Sequence, residues 1–187
     1  MKPADYVASV VNLLGGLDLK AVGAAAGMLA EAYDCGATVF VCGNGGSAST
    51  AAHMAADLSK NTVTTGRPRM RVVSLVDNVA WITALANDNG YASVFMEQIF
   101  NLMHRGDLLI ALSASGNSPS VVRAAQYAHT RGGLVIALVG FQGGDLLGEA
   151  DVAVHVKCEA YGPVEDCHLI VNHILVETMR QHIREAK

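Results

Sequence analysis

At 187 residues the chain fits one domain, which can bury roughly 70% of its unfolded surface with no disulfide or structural metal. Its net charge of -4 comes without a basic run, which leaves no electrostatic footprint for nucleic acid, and no apolar run approaches the roughly 20 residues that span a bilayer. Hydrophobic residues make up 51% and charged residues 16%, a surplus that must enter a large core or contacts between copies of the chain.

Two helices are expected first, over 4–14 and 18–34, with Gly15, Gly16 and Gly36 placed to stop them. The opening residues carry no apolar run ending at a small-residue cleavage site, so they do not read as a signal peptide, and a cytoplasmic location is expected. A strand follows at 38–43, a helix at 47–59, a strand at 70–76 and helices at 78–86 and 92–103. A strand at 107–113, a helix at 119–131, strands at 134–140 and 152–157 and a last helix at 163–185 complete the series. Alternation of this kind means parallel strands joined by crossover helices. Runs such as Leu108-Leu109-Ile110-Ala111-Leu112 are apolar throughout, which requires a sheet covered on both faces. The expectation is one α/β domain over 1–187, doubly wound and flavodoxin-like, with five parallel strands flanked by helices.

The last helix carries Leu169, Ile170, Val171, Ile174, Leu175, Val176, Met179 and Ile183, more than one apolar face, and the excess predicts a partner helix from another copy. Cys35, Cys42, Cys158 and Cys167 form no Cys-x-x-Cys pair and read as buried thiols.

In an open parallel sheet, ligands bind beyond the carboxyl ends of the strands, where strand order reverses. Two loops there pass straight into helices: Cys42-Gly43-Asn44-Gly45-Gly46-Ser47 and Ser113-Ala114-Ser115-Gly116-Asn117-Ser118-Pro119. Unpaired N–H groups at a helix start attract anions. The second loop is the better phosphate site, because Ser113, Ser115 and Ser118 with Asn117 surround a glycine that lets the backbone approach a ligand. A Ser/Asn helix cap with no ligand is the plainer alternative, and four polar groups in six residues argue against it. The first loop does not complete a dinucleotide fingerprint, since Asp77 lies too far along to serve as its acidic partner. His53 and Asp57 stand four apart on one helix face. On the last helix Glu165 and His173 are eight apart, about 12 Å of rise. Two imidazoles and two carboxylates suit zinc or another divalent ion if they converge.

The order of these residues resembles the phosphoheptose isomerases (sedoheptulose-7-phosphate isomerases) of the sugar isomerase, or SIS, family. The match has four segments: the 42–47 loop followed by His53; Asn87-Asp88-x-Gly90-Tyr91; Ser113-x-Ser115-Gly116-Asn117-Ser118; and His173. The resemblance implies the SIS fold, a homotetramer with active sites between subunits, and conversion of sedoheptulose 7-phosphate to D-glycero-D-manno-heptose 7-phosphate through an enediol. It implies a phosphorylated sugar as ligand, with Ser113, Ser115, Asn117 and Ser118 at the phosphate and Asn44, Gly45, Ser47 and Asp88 near the sugar. It further implies Zn2+ on His53, Asp57, Glu165 and His173, with His173 also as acid/base and Asp57 or Glu165 as the base. Two positions depart from the family, which has Glu at Asp57 and Gln at Glu165. The shorter Asp57 withdraws its carboxylate by one methylene, and a shift of about 1 Å in a catalytic group costs on the order of a hundredfold in rate. Two alternatives stay open: an isomerase of another sugar phosphate, and a non-catalytic SIS binding or regulatory protein.

Overall fold

A run that is apolar at every position has no face to give to water, and three such runs make the middle of one sheet. The computed structural model describes residues 2–185. Helices α1 (Pro3–Gly15) and α2 (Leu19–Asp34) precede β1 (Thr38–Gly43), α3 (Gly46–Lys60), β2 (Arg71–Ser74) and α4 (Val79–Asn89). A 3-10 turn (Tyr91–Ser93), α5 (Met96–Leu102), β3 (Leu108–Ser113), α6 (Pro119–Thr130), β4 (Leu134–Val139), α7 (Gly144–Gly148), β5 (Val152–His155) and α8 (Tyr161–Glu185) follow. All five strands are parallel, in the order β2-β1-β3-β4-β5, with Val41 opposite Ile110 and Leu112 opposite Leu138. This is the doubly wound, flavodoxin-like sheet that the alternating pattern predicts, and its order reverses between β1 and β3.

Successive residues of a strand point to opposite faces, and each face builds its own core. Val39, Val41, Ile110 and Leu112 pack with Leu29 of α2, Met54 and Leu58 of α3, and Leu175 and Met179 of α8. Phe40, Leu109 and Val135 pack with Phe95, Ile99 and Val121 on the other side. Each fully buried aliphatic or aromatic side chain contributes about 1.5–3 kcal/mol. The edge strands β2 and β5 are only partly covered. Asp107, buried, accepts the Thr38 N–H and the His104 N–H, both at 2.7 Å, and so locks the starts of β1 and β3 together.

Helix α1 buries none of its residues and leaves Val7 and Val11 each 61% exposed. It is tied to α8 by the Tyr6 hydroxyl, which donates to Asp166 Oδ2 at 2.7 Å. Of the apolar excess on α8, Ile174 stays exposed, whereas Met179 is consumed by the chain's own core. No single described helix is long and apolar enough to cross a membrane.

Several boundaries differ from the sequence expectation. The helix expected at 92–103 splits into the 3-10 turn and α5, because Ser93 N closes on Gly90 O just after α4 ends at Gly90, where φ is 83°. The strand expected at 70–76 keeps only the four residues that pair with β1. Helix α7 has no counterpart in the sequence expectation, being five residues with a glycine at each end and therefore without a readable period. Cys42 and Cys167 are buried as expected, but Cys35 is exposed and Cys158 half-buried. Burial pushes the Cys42 thiol up to about 12, which keeps it protonated and inert.

Candidate active site

The two loops meet where the strand order reverses. They line a cleft of about 240 Å³ with Asn44, Gly45, Gly46 and Ser47 on one side, Ser113, Ala114, Ser115 and Ser118 on the other, and Tyr161 and Glu165 of α8 above. The starts of α2 and α4 are closed by side chains: Asp18 accepts from Lys20 N and Ala21 N, and Asn78 accepts from Trp81 N. The two starts at the cleft are not, since Gly45 has no side chain to cap α3 and the Ser118 hydroxyl makes no cap bond to α6. Pro119 at the first position of α6 has no N–H to satisfy. Two uncapped helix starts facing one polar cleft leave N–H groups and partial positive charge of the kind that suits an anion.

The serines are organised by their own loop. Ser113 Oγ accepts the Gly116 N–H at 3.1 Å and lies 3.3 Å from Ser118 Oγ, while Ser115 Oγ accepts the Asn117 N–H at 3.2 Å. Asn117 is turned away from the cleft. Its Oδ1 accepts from Asp145 N at 3.0 Å, so this residue braces the serine loop against α7 and does not line the cleft. Gly116 makes the brace possible: with φ at 70°, an added Cβ would overlap the Gly143 carbonyl. Asn44 is held between Tyr91, whose hydroxyl donates to Oδ1 at 2.8 Å, and the buried Ser120, which receives Nδ2 at 2.9 Å. Asp88 lies exposed on α4, accepts from Asn87 at 2.8 Å, and does not line the cleft.

Further along α3 and α8 lies a second group. His53 Nε2 is 3.0 Å from Asp57 Oδ2, His173 Nε2 is 3.7 Å from the same oxygen, and the two Nε2 atoms are 3.4 Å apart. These three ligand atoms all lie within 4.8 Å of one another. Two imidazole nitrogens and one carboxylate oxygen at such spacing fit three ligands of a zinc site with an open fourth position. Glu165 does not join them. It stands two turns earlier on α8, with its carboxylate against Gly46 at the start of α3, where the positive end of that helix favours it. Of the four expected ligands, the structure brings together His53, Asp57 and His173, while Glu165 lines the serine cleft instead.

One cleft residue, Tyr161, escapes a reading of the sequence, and His168, which the sequence places beside Glu165 and His173, proves to face the core. Tyr161 lines the cleft one helical turn before Glu165, and its only signal is that i, i+4 spacing. His168 is 1% exposed, and its Nε2 donates to the Val139 carbonyl at 3.2 Å. Burial pushes its pKa down to about 4, so it is a neutral core histidine.

A doubly wound sheet with a serine-lined anion cleft at its switch point defines a SIS-domain protein, and the SIS domain family model matches residues 5–140. Over 153 residues the chain is 43% identical to the phosphoheptose isomerase of Colwellia psychrerythraea, a match spanning 80% of this chain and 78% of the relative. It is 37% identical over 174 residues to that of Chlorobaculum parvum, spanning 92% and 83%. The solved structure of a phosphoheptose isomerase from Francisella tularensis superposes with a TM-score of 0.88 at 28% identity, covering 95% of this chain and 94% of that one. The chain belongs to the phosphoheptose isomerase family of SIS-domain proteins.

Proposed function

We propose that this chain is an aldose–ketose isomerase that converts sedoheptulose 7-phosphate to D-glycero-D-manno-heptose 7-phosphate through an enediol. The observation that carries the reading is the pairing of an uncapped, serine-lined anion cleft with a separate His53, Asp57 and His173 group two turns away along α8. The phosphate binds at Ser113, Ser115 and Ser118 and the start of α6, and Asn44, Gly45 and Ser47 receive the sugar. Binding energy gained at this end orients the reacting end, which is remote from it.

At the reacting end, Asp57 carries the proton between the two carbons. Its Oδ2 faces the imidazoles, while Oδ1 accepts one hydrogen bond from Asn61 and keeps a second lone pair for the proton. His53, Asp57 and His173 would hold a divalent ion, zinc by the chemistry of the donors, which supplies Lewis-acid polarisation of the carbonyl. The same convergence that makes His173 Nε2 a ligand removes it as a proton shuttle while an ion is bound. Glu165 shapes the phosphate end through its charge. The assembly is a homotetramer, supported by the exposed Val7 and Val11 of α1 and Ile174 of α8, and its location is cytoplasmic, with its phosphorylated substrate.

The test is incubation of the purified protein with sedoheptulose 7-phosphate, with and without added Zn2+, following aldose formation by chromatography. Turnover that is lost on chelation and restored by Zn2+ is expected. No aldose under either condition, while a panel of other ketose phosphates turns over, would move the chain to a different sugar.

A further inference from the structure

Asn172 is fully buried in the middle of α8, where asparagine is a poor helix former, and half of its amide has no partner among the described residues. Its Nδ2 donates to Asp57 Oδ2 at 3.3 Å, while its Oδ1 is buried without a hydrogen bond among the described residues. The orientation of the amide is dictated by chemistry: an ionised carboxylate only accepts, so the NH2 must face Asp57 and the oxygen must turn into the core. The one hydrogen bond that this buried amide makes within the described protein is to Asp57, so its position answers to that carboxylate. Local conflicts of this kind gather at functional sites.

The other oxygen of Asp57 is held from the opposite side. Asn61 Nδ2 donates to Oδ1 at 2.8 Å, and the Asn61 backbone N–H closes on the Asp57 carbonyl at 2.7 Å, which fixes the amide to the end of α3. Asp57 is thus gripped by an amide on each oxygen, one from α3 and one from α8, with the two imidazoles facing Oδ2. An aspartate carboxylate stands on a single methylene and cannot find its position by its own reach.

We propose that Asn172 and Asn61 are positioning residues: a two-sided amide clamp that sets the Asp57 carboxylate against His53 and His173. This inference rests on the reading of that group as the reacting end. Asn172→Leu keeps the branching of the side chain and removes both the donor and the orphaned oxygen; Asn61→Ala removes the other jaw from an exposed position at no risk to the core.

The experiment compares wild type, Asn172→Leu and Asn61→Ala in three measurements: Co2+ affinity by calorimetry, the visible spectrum of the cobalt-loaded protein, and steady-state kinetics on sedoheptulose 7-phosphate. Each variant should lose about 10- to 100-fold in Co2+ affinity, the range typical of residues that orient metal ligands, with a shifted spectrum. In each, kcat should fall while KM for the sugar phosphate, set at the cleft two turns away, stays within about threefold. A purely structural asparagine would do the reverse, lowering the melting temperature of the metal-free protein and leaving affinity, spectrum and kcat untouched; that result overturns the clamp. Wild type that binds no Co2+ overturns the metal reading, and the kcat comparison then decides the clamp alone. Wild type that binds Co2+ but does not turn over the substrate overturns the proposed reaction, and the affinities then decide it.

Discussion

Gly116→Ala separates the architecture of the phosphate loop from its chemistry, because it leaves every serine in place. Gly116 has φ of 70°, and a Cβ there would overlap the Gly143 carbonyl. Left-handed backbone costs an L-residue about 1–2 kcal/mol, and forcing extra carbon into packed atoms costs about 1–3 kcal/mol more. The expected loss is therefore about 2–5 kcal/mol. For a domain of this size each kcal/mol moves the melting temperature by about 2–4 °C, so a fall of about 5–15 °C is expected. Relief of the clash must also break the pair of bonds that join the loop to α7: Leu146 N to Gly116 O at 2.9 Å and Asp145 N to Asn117 Oδ1 at 3.0 Å. The serines then lose their common geometry, and KM for the sugar phosphate should rise about tenfold or more. Differential scanning calorimetry with and without ligand gives the stability and the binding, and steady-state kinetics gives KM. Gly23→Ala is the control: it lies inside α2 with nothing near the added carbon, and alanine there should gain about 0.5–1 kcal/mol. If Gly116→Ala melts and binds as wild type does, the bracing of the loop by residues 143–145 is not what shapes the site.

His173→Ala should cut kcat by about a hundredfold or more while KM stays near wild type, because it removes one of the three groups that would hold the ion; equal damage to both would put His173 at the binding end. Glu165→Gln should lower KM for the sugar phosphate several-fold in the same assay, since it removes a negative charge from the cleft that receives the phosphate; a loss of kcat instead would return Glu165 to the chemistry. Burial holds the His168 pKa at about 4 against the ordinary 6.5. The unfolded chain therefore binds the extra proton, and stability present above about pH 6.5 is lost as pH falls towards 4, by up to about 3 kcal/mol. Denaturant unfolding of His168→Gln across that range should show a flatter slope than wild type, and parallel slopes would refute the assignment. Val11→Asp on the exposed face of α1 should shift the sedimenting mass towards the monomer, and an unchanged mass would take α1 out of the subunit contact.

Strand identity is legible because burial on both faces leaves a uniform apolar run, and β1, β3 and β4 are where the sheet is covered on both sides. The edge strands are shorter than their sequence pattern suggests, since at an edge the pairing partner rather than the side chains sets the length. The serine loop is legible for the same local reason: glycine, hydroxyls and a proline at a helix start leave few conformations. What sequence spacing does not resolve is direction along a helix. Glu165 and His173 share α8, but eight residues of rise assign one to the phosphate end and the other to the imidazole group. Asn117 shows a related limit, because a polar side chain in a binding loop can spend its hydrogen bonds on the scaffold. Asn172 gives no signal at all, since its partner Asp57 is 115 residues away in the chain.

The uncapped starts of α3 and α6 also bear on how the empty protein behaves. At α2 and α4 the chain carries its own caps, but at the cleft it carries none, so a phosphate bound as proposed would act as a borrowed N-cap for two helices at once. Binding and local order are then a single equilibrium. A ligand bound there would tighten the first turns of α3 and α6, and each tenfold of ligand above its dissociation constant would add about 1.4 kcal/mol to the stability of the bound form. On the proposed function, substrate abundance would then set how firmly those two helix ends are held.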